Sequence, residues 1–112
     1  MKLAVIGSKE FTDYEKLVSI LDKEKDVSMI ISGGALGTDT HAKQYSSQNK
    51  IKFLEFPPDY KKYGDKAKYI RDKLVVEHCD KIIAFWDGKC EGTKYTMDYG
   101  KKIGKPVKII RI

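Results

Sequence analysis

Short apolar runs alternate with amphipathic stretches along the whole chain. Leu3–Ile6 is wholly apolar, and a segment with helical spacing of its apolar residues follows it. That helical stripe consists of Tyr14, Leu17, Val18 and Leu21. Strand-like and helix-like patterns then follow one another to the end of the chain, without a linker or a repeat. This alternation predicts β-strands connected by crossover helices, the βαβ pattern of an α/β protein.

Five strands and four helices are predicted in this way. The strands are Leu3–Ile6, Val27–Ile31, Ile51–Phe56, Lys81–Trp86 and Pro106–Ile112. Thr12 or Asp13 is expected to cap the first helix, and Asn49 to end the second, whose inner side carries Ala42 and Tyr45. The third helix is expected to turn Ala67, Ile70, Leu74, Val75 and His78 inward. The fourth runs from Gly92-Thr93 to Gly104, and the longest loop from Pro57 to Gly64.

Two of the predicted strands, Ile51–Phe56 and Pro106–Ile112, alternate apolar and polar residues, whereas Leu3–Ile6 and the core of Lys81–Trp86 are apolar throughout. Alternation is typical of sheet edges and continuous apolar runs of strands covered on both faces. With right-handed crossovers, this favours a parallel sheet in the order 3-2-1-4-5. The expected fold class is therefore α/β: a three-layer, Rossmann-like, doubly wound five-stranded sheet, formed by one domain over residues 1–112.

The segment Ser32–Asp39, SGGALGTD, is the clearest ligand signal in the chain. It lies between a predicted strand and a predicted helix, where glycines allow a tight turn and helix N–H groups can face an anion. In a doubly wound sheet, ligands bind beyond the carboxyl ends of the strands where the winding reverses. That position also receives the loop at Gly7-Ser8 and the loop from Asp87 to Thr93. The three loops together predict a phosphate-binding crevice.

The net charge, the lengths of the apolar runs and the few cysteine and histidine residues limit the classes of function that are expected. The 112-residue chain carries a formal charge of +6, almost all of it from lysine, which favours diffuse attraction to phosphate over base readout. No apolar run reaches the roughly 18 residues of a membrane span, and the chain begins directly in a strand, so we expect a cytoplasmic protein. Cys79 and Cys90 are expected to be reduced thiols. His41 and His78 lack metal-ligand spacing, so no metal and no cofactor are expected.

The two common nucleotide-binding motifs, the P-loop GxxxxGK[ST] and the Rossmann motif GxGxxG, are not present in the sequence. The chain resembles instead the SLOG (Smf/DprA/LOG) superfamily of Rossmann-like nucleotide-ligand domains, in its small stand-alone form. The resemblance covers nearly the full length and is carried by five ordered motifs: Gly7-Ser8 with Phe11 and Asp13, Ser32 to Ala42, Tyr63-Gly64, Arg71, and Phe85 to Gly88 with Gly92-Thr93.

The resemblance implies a nucleotide or nucleotide-derived ligand, ADP-ribose-like or cyclic forms included. Arg71 would offer its guanidinium to phosphate or extend along the margin of the core, and Trp86 would stack on a base or pack in the core. The expected ligand-binding residues are Gly7, Ser8, Ser32, Gly33, Gly34, Ala35, Gly37, Thr38, Asp39, Arg71, Trp86, Asp87, Gly92 and Thr93. A homodimer or larger homo-oligomer is also expected, because a shallow pocket would be completed by a second copy.

Two alternatives stay open beside binding or sensing of such a ligand. LOG-type enzymes cleave the N-glycosidic bond of nucleoside monophosphates, and their loop PGGxGTxxE ends in a glutamate where this chain has Thr96. The substitute carboxylates by loop position are Asp87, Glu91 and Asp39, and a cap or dipole partner of its helix is the other interpretation of Asp39, which leaves Asp87 and Glu91 as the catalytic candidates. The DNA-processing members of the superfamily suggest single-stranded DNA binding, but Leu36 stands in place of the arginine in their SGxARGxD loop.

Overall fold

The computed structural model describes residues 1–33 and 37–112. Its strands are β1 (Lys2–Gly7), β2 (Met29–Ser32), β3 (Lys52–Glu55), β4 (Lys81–Trp86) and β5 (Val107–Arg111). Its helices are α1 (Tyr14–Leu21), α2 (Thr38–Gln48), the single turn α3 (Tyr60–Tyr63), α4 (Ala67–His78) and α5 (Glu91–Lys102). A 3₁₀ turn, Gly64–Lys66, leads from α3 into α4.

All five strands are parallel and stand in the order β3-β2-β1-β4-β5. Ala4 of β1 is paired with Ile31 of β2 on one side and with Ile82 of β4 on the other. The predicted order and the α/β Rossmann-like class are thus confirmed. The direction of winding reverses at β1, so the ligand crevice of this fold class is expected beside the carboxyl ends of β1, β2 and β4.

The sheet is covered on both faces. Leu3 and Val5 of β1 pack in one apolar cluster with Leu17 of α1 and Ala42 of α2. Ala4 and Ile6, which point the other way, pack in a second cluster with residues of the opposite helices: Val75, Val76 and Met97. Because successive strand side chains alternate between faces, the apolar run of β1 supplies both cores. The layers are α1 and α2, the sheet, then α4 and α5.

Local capping follows the sequence at two helix ends. The Asp13 carboxylate accepts a hydrogen bond from the Lys16 N–H (3.1 Å), as an N-cap should. Asn49 is the C-cap of α2 and donates its side-chain amide to the Tyr45 carbonyl (2.9 Å). Both predicted boundaries are confirmed.

Two predictions from the sequence were wrong: the structure of the loop from Pro57 to Gly64 and the inward face of the helix that follows it. The Pro57–Gly64 loop contains α3, whose N-cap Asp59 accepts a hydrogen bond from the Lys62 N–H (3.1 Å). On α4 the inward face is turned by about one residue, so Leu74 is 37% exposed and His78 is exposed. The buried residues of α4 are Ala67, Arg71, Val75 and Val76. Periodicity failed there because it counts an arginine as outward, whereas Arg71 has partners that allow its burial.

Candidate functional site

Ser8 joins three loops at the carboxyl edge of the sheet. Its N–H donates to the Phe85 carbonyl of β4 (3.0 Å), and its carbonyl accepts the hydroxyl of Thr38 at the start of α2 (2.9 Å). The Ser8 hydroxyl in turn accepts the Asp87 N–H at 3.4 Å. Both Ser8 and Thr38 are buried. The loops after β1 and β4 and the first turn of α2 are therefore held together by one residue.

A cavity of about 220 Å³ opens beside these loops, on the side of the sheet covered by α4 and α5. We call it the α4–α5 cavity. Residues from β1, the loops that follow β1, β2 and β4, and the helices α2, α4 and α5 line it: Ile6, Gly7, Lys9, Gly33, Asp39, Lys68, Arg71, Asp72, Val75, Cys90, Gly92, Thr93 and Thr96. It lies at the position that the strand order selects.

Arg71 provides the buried cation of this cavity. Its side chain is only 8% exposed, its Nη1 donates to the Gly33 carbonyl, and its Nε is 2.7 Å from Oδ1 of Asp72. Arg71 lines the cavity, and a guanidinium has five N–H groups, so these two bonds do not use all of its donors. Lys9 and Lys68 add positive charge to the lining, and Asp39 adds a carboxylate. The cavity is thus rich in charge of both signs.

Asp72 is held as closely as Arg71, with its side chain 15% exposed. Burial raises the pKa of the Asp72 carboxyl, although the adjacent Arg71 and Lys68 act in the opposite direction. A carboxylate removed from water in this way tolerates further negative charge poorly. Asp72 therefore adds a largely buried acidic group to the lining, directly beside Arg71.

The start of α5 forms another part of the cavity lining. Its N-cap, Cys90, makes no side-chain capping hydrogen bond, although the Thr93 hydroxyl donates to the Cys90 Sγ (3.3 Å). A β-carbon built on Gly92 would meet no atom within 4 Å. Free N–H groups and the positive end of the helix dipole thus border open space.

Two glycines of the SGGALGTD segment are required by their surroundings. A β-carbon on Gly33 would lie 2.5 Å from Nη1 of Arg71, so the backbone approaches the guanidinium more closely than any other residue type permits. Gly37 has a φ of +72°, and a β-carbon there would run into the Lys9 carbonyl. Gly33 thus sets the position of Arg71, and Gly37 sets the entry into α2.

A second cavity, of about 380 Å³, lies on the α1 side of the same sheet edge. We call it the α1 cavity. It is lined by Ser8, Glu10, Phe11, Thr12, Asp13, Lys16, Asp87 and Ile112. Oδ1 of Asp87 accepts hydrogen bonds from the N–H groups of Lys89 and Cys90, both at 2.8 Å. These bonds lower the pKa of Asp87, so this carboxylate organises the turn between β4 and α5.

The structure divides the predicted site residues into separate groups. Six line the α4–α5 cavity: Gly7, Gly33, Asp39, Arg71, Gly92 and Thr93. Ser8 and Asp87 line the α1 cavity, while Ser32, Gly37, Thr38, Trp86 and Glu91 line neither. Gly34 and Ala35, like Leu36, lie outside the described residues. The predicted crevice is thus two cavities separated by the Asp87–Cys90 turn.

The Trp86 side chain makes its contacts with other residues of the protein. Its indole N–H donates to the Cys90 carbonyl (3.1 Å), and the Arg111 guanidinium lies 5.7 Å from the ring centroid. The ring also packs against the apolar cluster under α4 and α5. These are packing contacts within the protein, and base stacking by Trp86 stays a prediction.

Lys9, Lys68 and Cys90 line the α4–α5 cavity but were not predicted as site residues. A signal existed for Lys68, which precedes Arg71 by three residues and so shares its helix face. Thr96 lies one helical turn after Gly92, and its hydroxyl donates to the Gly92 carbonyl (3.0 Å). Thr96 lies where a LOG-type enzyme would place its glutamate, so the cavity contains a hydroxyl at that point.

Among the described residues, no group of three histidine, cysteine, aspartate or glutamate side chains is placed to hold a metal ion. In the same part of the chain, no helix is both long enough and apolar enough to cross a bilayer.

A doubly wound parallel sheet with a charged cavity at its switch point defines a Rossmann-like ligand-binding domain. The sequence profile described as YAcAr (YspA, cpYpsA-related SLOG family) matches residues 1–63, and the chain belongs to this family. The matched part ends at α3, so Arg71 and the start of α5 lie beyond it. The resemblance to SLOG proteins is thereby confirmed.

Two further proteins are similar. Proline–tRNA ligase of Nanoarchaeum equitans (strain Kin4-M) is 47% identical over 58 residues, 49% of this chain and 10% of the ligase. The chain thus spans about a tenth of that curated relative. DNA processing protein A from Helicobacter pylori, solved in a study of its single-stranded DNA binding mode, has a similar fold. Its TM-score is 0.71 at 24% identity, over 97% of this chain and 64% of that one.

Proposed function

We propose that this protein binds a nucleotide or nucleotide-derived ligand and holds a phosphate group of that ligand in the α4–α5 cavity. One observation carries the proposal: the buried Arg71 and a helix start where the space over Gly92 is open line the same cavity at the switch point. Membership of a SLOG family supports a ligand of this class.

The cavity chemistry suits a phosphate. Arginine N–H groups bind phosphate oxygens with strong, charge-assisted hydrogen bonds, and Lys68 and Lys9 add attraction. The first-turn N–H groups of α5 offer further donors. A volume of about 220 Å³ is below the roughly 300–1,000 Å³ of pockets that enclose whole drug-sized ligands. We therefore expect the phosphate and part of the sugar to be enclosed, and the base to lie near the mouth.

Gly92→Ala is the sharpest test of this proposal. The added methyl group meets no protein atom, and alanine favours a helix over glycine by about 0.5–1 kcal/mol. The variant should thus be at least as stable as the unsubstituted protein, yet bind more weakly because the methyl group occupies the space intended for phosphate. Titration calorimetry with AMP and 3′,5′-cyclic AMP, alongside thermal unfolding, measures both effects. Unchanged affinity for every ligand bound would contradict this placement.

Arg71→Met, which keeps most of the buried aliphatic volume, should weaken phosphate-bearing ligands by about tenfold or more. Lys73→Met is the matched control, because Lys73 is an exposed cation on the same helix and does not line the cavity. Equal losses in the two variants would mean that Arg71 contributes only general positive charge.

Single-stranded DNA binding is the second candidate. The formal charge of +6 favours it, as does the structural likeness to DNA processing protein A, whose reported partner is single-stranded DNA. A fluorescent oligonucleotide that bound with a steep salt dependence, while no mononucleotide stabilised the protein, would establish this candidate in place of the first.

N-glycosidase activity is a third hypothesis, with Asp87 or Glu91 as the catalytic carboxylate. Neither lines the α4–α5 cavity, so a phosphate held there would have to extend its sugar past the Asp87–Cys90 turn to reach them. Release of adenine from AMP, abolished by Asp87→Asn, would support an enzyme.

A further inference from the structure

We propose that the α4–α5 cavity selects a phosphodiester, with one negative charge, over a phosphomonoester, with nearly two, and that Asp72 is the residue that makes the distinction. This rests on the proposed function, because it specifies the ligand of the same cavity.

The first step is how Arg71 is used within the protein. Its Nε is bound to Asp72 at 2.7 Å and its Nη1 to the Gly33 carbonyl. The Nε edge of the guanidinium therefore already faces a carboxylate. A ligand phosphate meets an arginine whose charge is largely compensated, so the cavity offers less net attraction than the count of its basic residues suggests.

The second step is the charge of the whole lining. Lys9, Lys68 and Arg71 contribute three positive charges, and Asp39 and Asp72 two negative ones, which leaves one. A phosphodiester brings a single negative charge at all pH values near neutrality. A terminal phosphate brings about 1.5–2, so its excess charge is repelled by Asp72 in a partly desolvated space.

The third step is that neither carboxylate is remote from the ligand. Asp72 lines the cavity beside Arg71, and Asp39 stands in the first turn of α2 on its other wall. Asp72 is also held by its ion pair, and turning away into solvent would leave the buried Arg71 without its carboxylate partner. The repulsion is thus built into the resting structure of the site.

A phosphodiester with one negative charge occurs both in cyclic nucleotides and in the backbone of linear nucleic acids. Titration calorimetry at pH 8 with AMP, 3′,5′-cyclic AMP, the dinucleoside monophosphate ApA and a short oligo(dT) compares them directly. We expect the unsubstituted protein to bind at least one diester about tenfold or more tightly than AMP. Binding of cyclic AMP alone would identify a closed diester, and binding of ApA an open one. Binding of oligo(dT) alone would be the single-stranded DNA binding of the second candidate and would overturn the inference together with the proposed function.

Asp72→Asn tests the assignment to this residue. Its amide oxygen can still accept the Arg71 Nε–H, so the shape of the site is kept while one negative charge is removed. Coulombic repulsion scales with ligand charge, so AMP should gain about twice as much binding free energy as cyclic AMP. The preference for the diester should then fall severalfold. Glu77→Gln is the matched control: the same charge change on the same helix, at a residue that does not line the cavity.

The comparison of ligands on the unsubstituted protein needs no variant, so a folding defect in Asp72→Asn would not prevent the test. AMP bound as tightly as every diester would overturn the inference and leave the proposed function standing, as would an unchanged preference in folded Asp72→Asn. If none of the four compounds bound, the proposed function would fail, and this inference with it.

Discussion

The hydroxyl of Thr38 donates to the carbonyl oxygen of Ser8 at 2.9 Å, with both residues buried. This bond ties the first turn of α2 to the loop after β1, and through Ser8 to β4. The two cavities therefore border a single rigid junction.

Thr38→Val should destabilise the protein by about 1–2 kcal/mol, because a buried hydroxyl is replaced by a methyl group beside a carbonyl that needs a donor. Urea unfolding measures the change. Thr40→Val is the control, since Thr40 is exposed two residues along the same helix. A loss of the same size in both variants would show that helix propensity is responsible instead.

Gly33→Ala should weaken AMP or cyclic AMP binding, whichever is tighter, by displacing the Arg71 guanidinium, which lies 2.5 Å from the position of the new β-carbon. If the effect runs through Arg71, it should largely disappear when Gly33→Ala is added to Arg71→Met. Affinities of the two single variants and the double variant form the cycle that measures this coupling. Additive losses would mean that Gly33 contacts the ligand independently.

Trp86 should report ligand binding without being a ligand contact. Its indole N–H is bonded to the carbonyl of Cys90, which lines the α4–α5 cavity, and it is the chain's only tryptophan. We expect its emission to change as a bound nucleotide saturates the site. Adenosine, which lacks the phosphate, is the control and should leave the spectrum unaltered at the same concentration. A flat response during calorimetrically confirmed binding would contradict the coupling.

Tyr45 links stability to alkaline pH. Burial, reinforced by its 2.7 Å hydrogen bond to Asp22, raises its pKa from 10.0 to about 12. Because the folded protein holds this proton more tightly than the unfolded chain, the stabilising contribution is complete below pH 10 and is lost as the pH rises through about 12. Phenolate absorbance during a pH titration checks it. Asp22→Asn should lower the pKa of Tyr45, and an unshifted titration would exclude the role of that bond.

The free edge of β5 bears on the predicted homo-oligomer. β5 pairs only with β4 among the described strands, and its Ile109 is 37% exposed. If two copies associate along this edge, sedimentation should show a dimer that Ile109→Lys converts to monomer. Lys102→Glu, at an exposed position on α5, is the control. A monomer at all accessible concentrations would contradict the predicted assembly.

The order of the strands could be predicted from the sequence because the burial of a strand determines its pattern of apolar and polar residues. The continuous apolar run of β1 and the alternating pattern of β3 and β5 correspond to central and edge positions. Together with the rule of right-handed crossovers, these patterns predicted the order of the strands. The inward face of α4 could not be obtained the same way, because Arg71 is buried by its pairing with Asp72, and periodicity does not register such a pair.

The sequence predicted which loops form the site, but not how the site is divided between two cavities. Glycines and the switch point identified which turns meet, since both depend on backbone geometry. The division into two cavities depends on how Asp87 folds its own turn and on which way the side chains of α4 point. Those are tertiary contacts between residues far apart in sequence, so Lys9 and Cys90 carried no usable signal, and Lys68 carried one only through its spacing from Arg71.

The uncapped start of α5 has a consequence for engineering. A chain selected only for thermal endurance would have serine or aspartate at position 90 and alanine at position 92, each a routine improvement of a helix. Under the proposed function, an aspartate at position 90 would repel the bound phosphate and an alanine at position 92 would occupy its space. Stabilisation of this protein by consensus or automated design should therefore leave residues 90–93 unchanged. The substitutions there that raise the melting temperature most are the ones expected to abolish ligand binding.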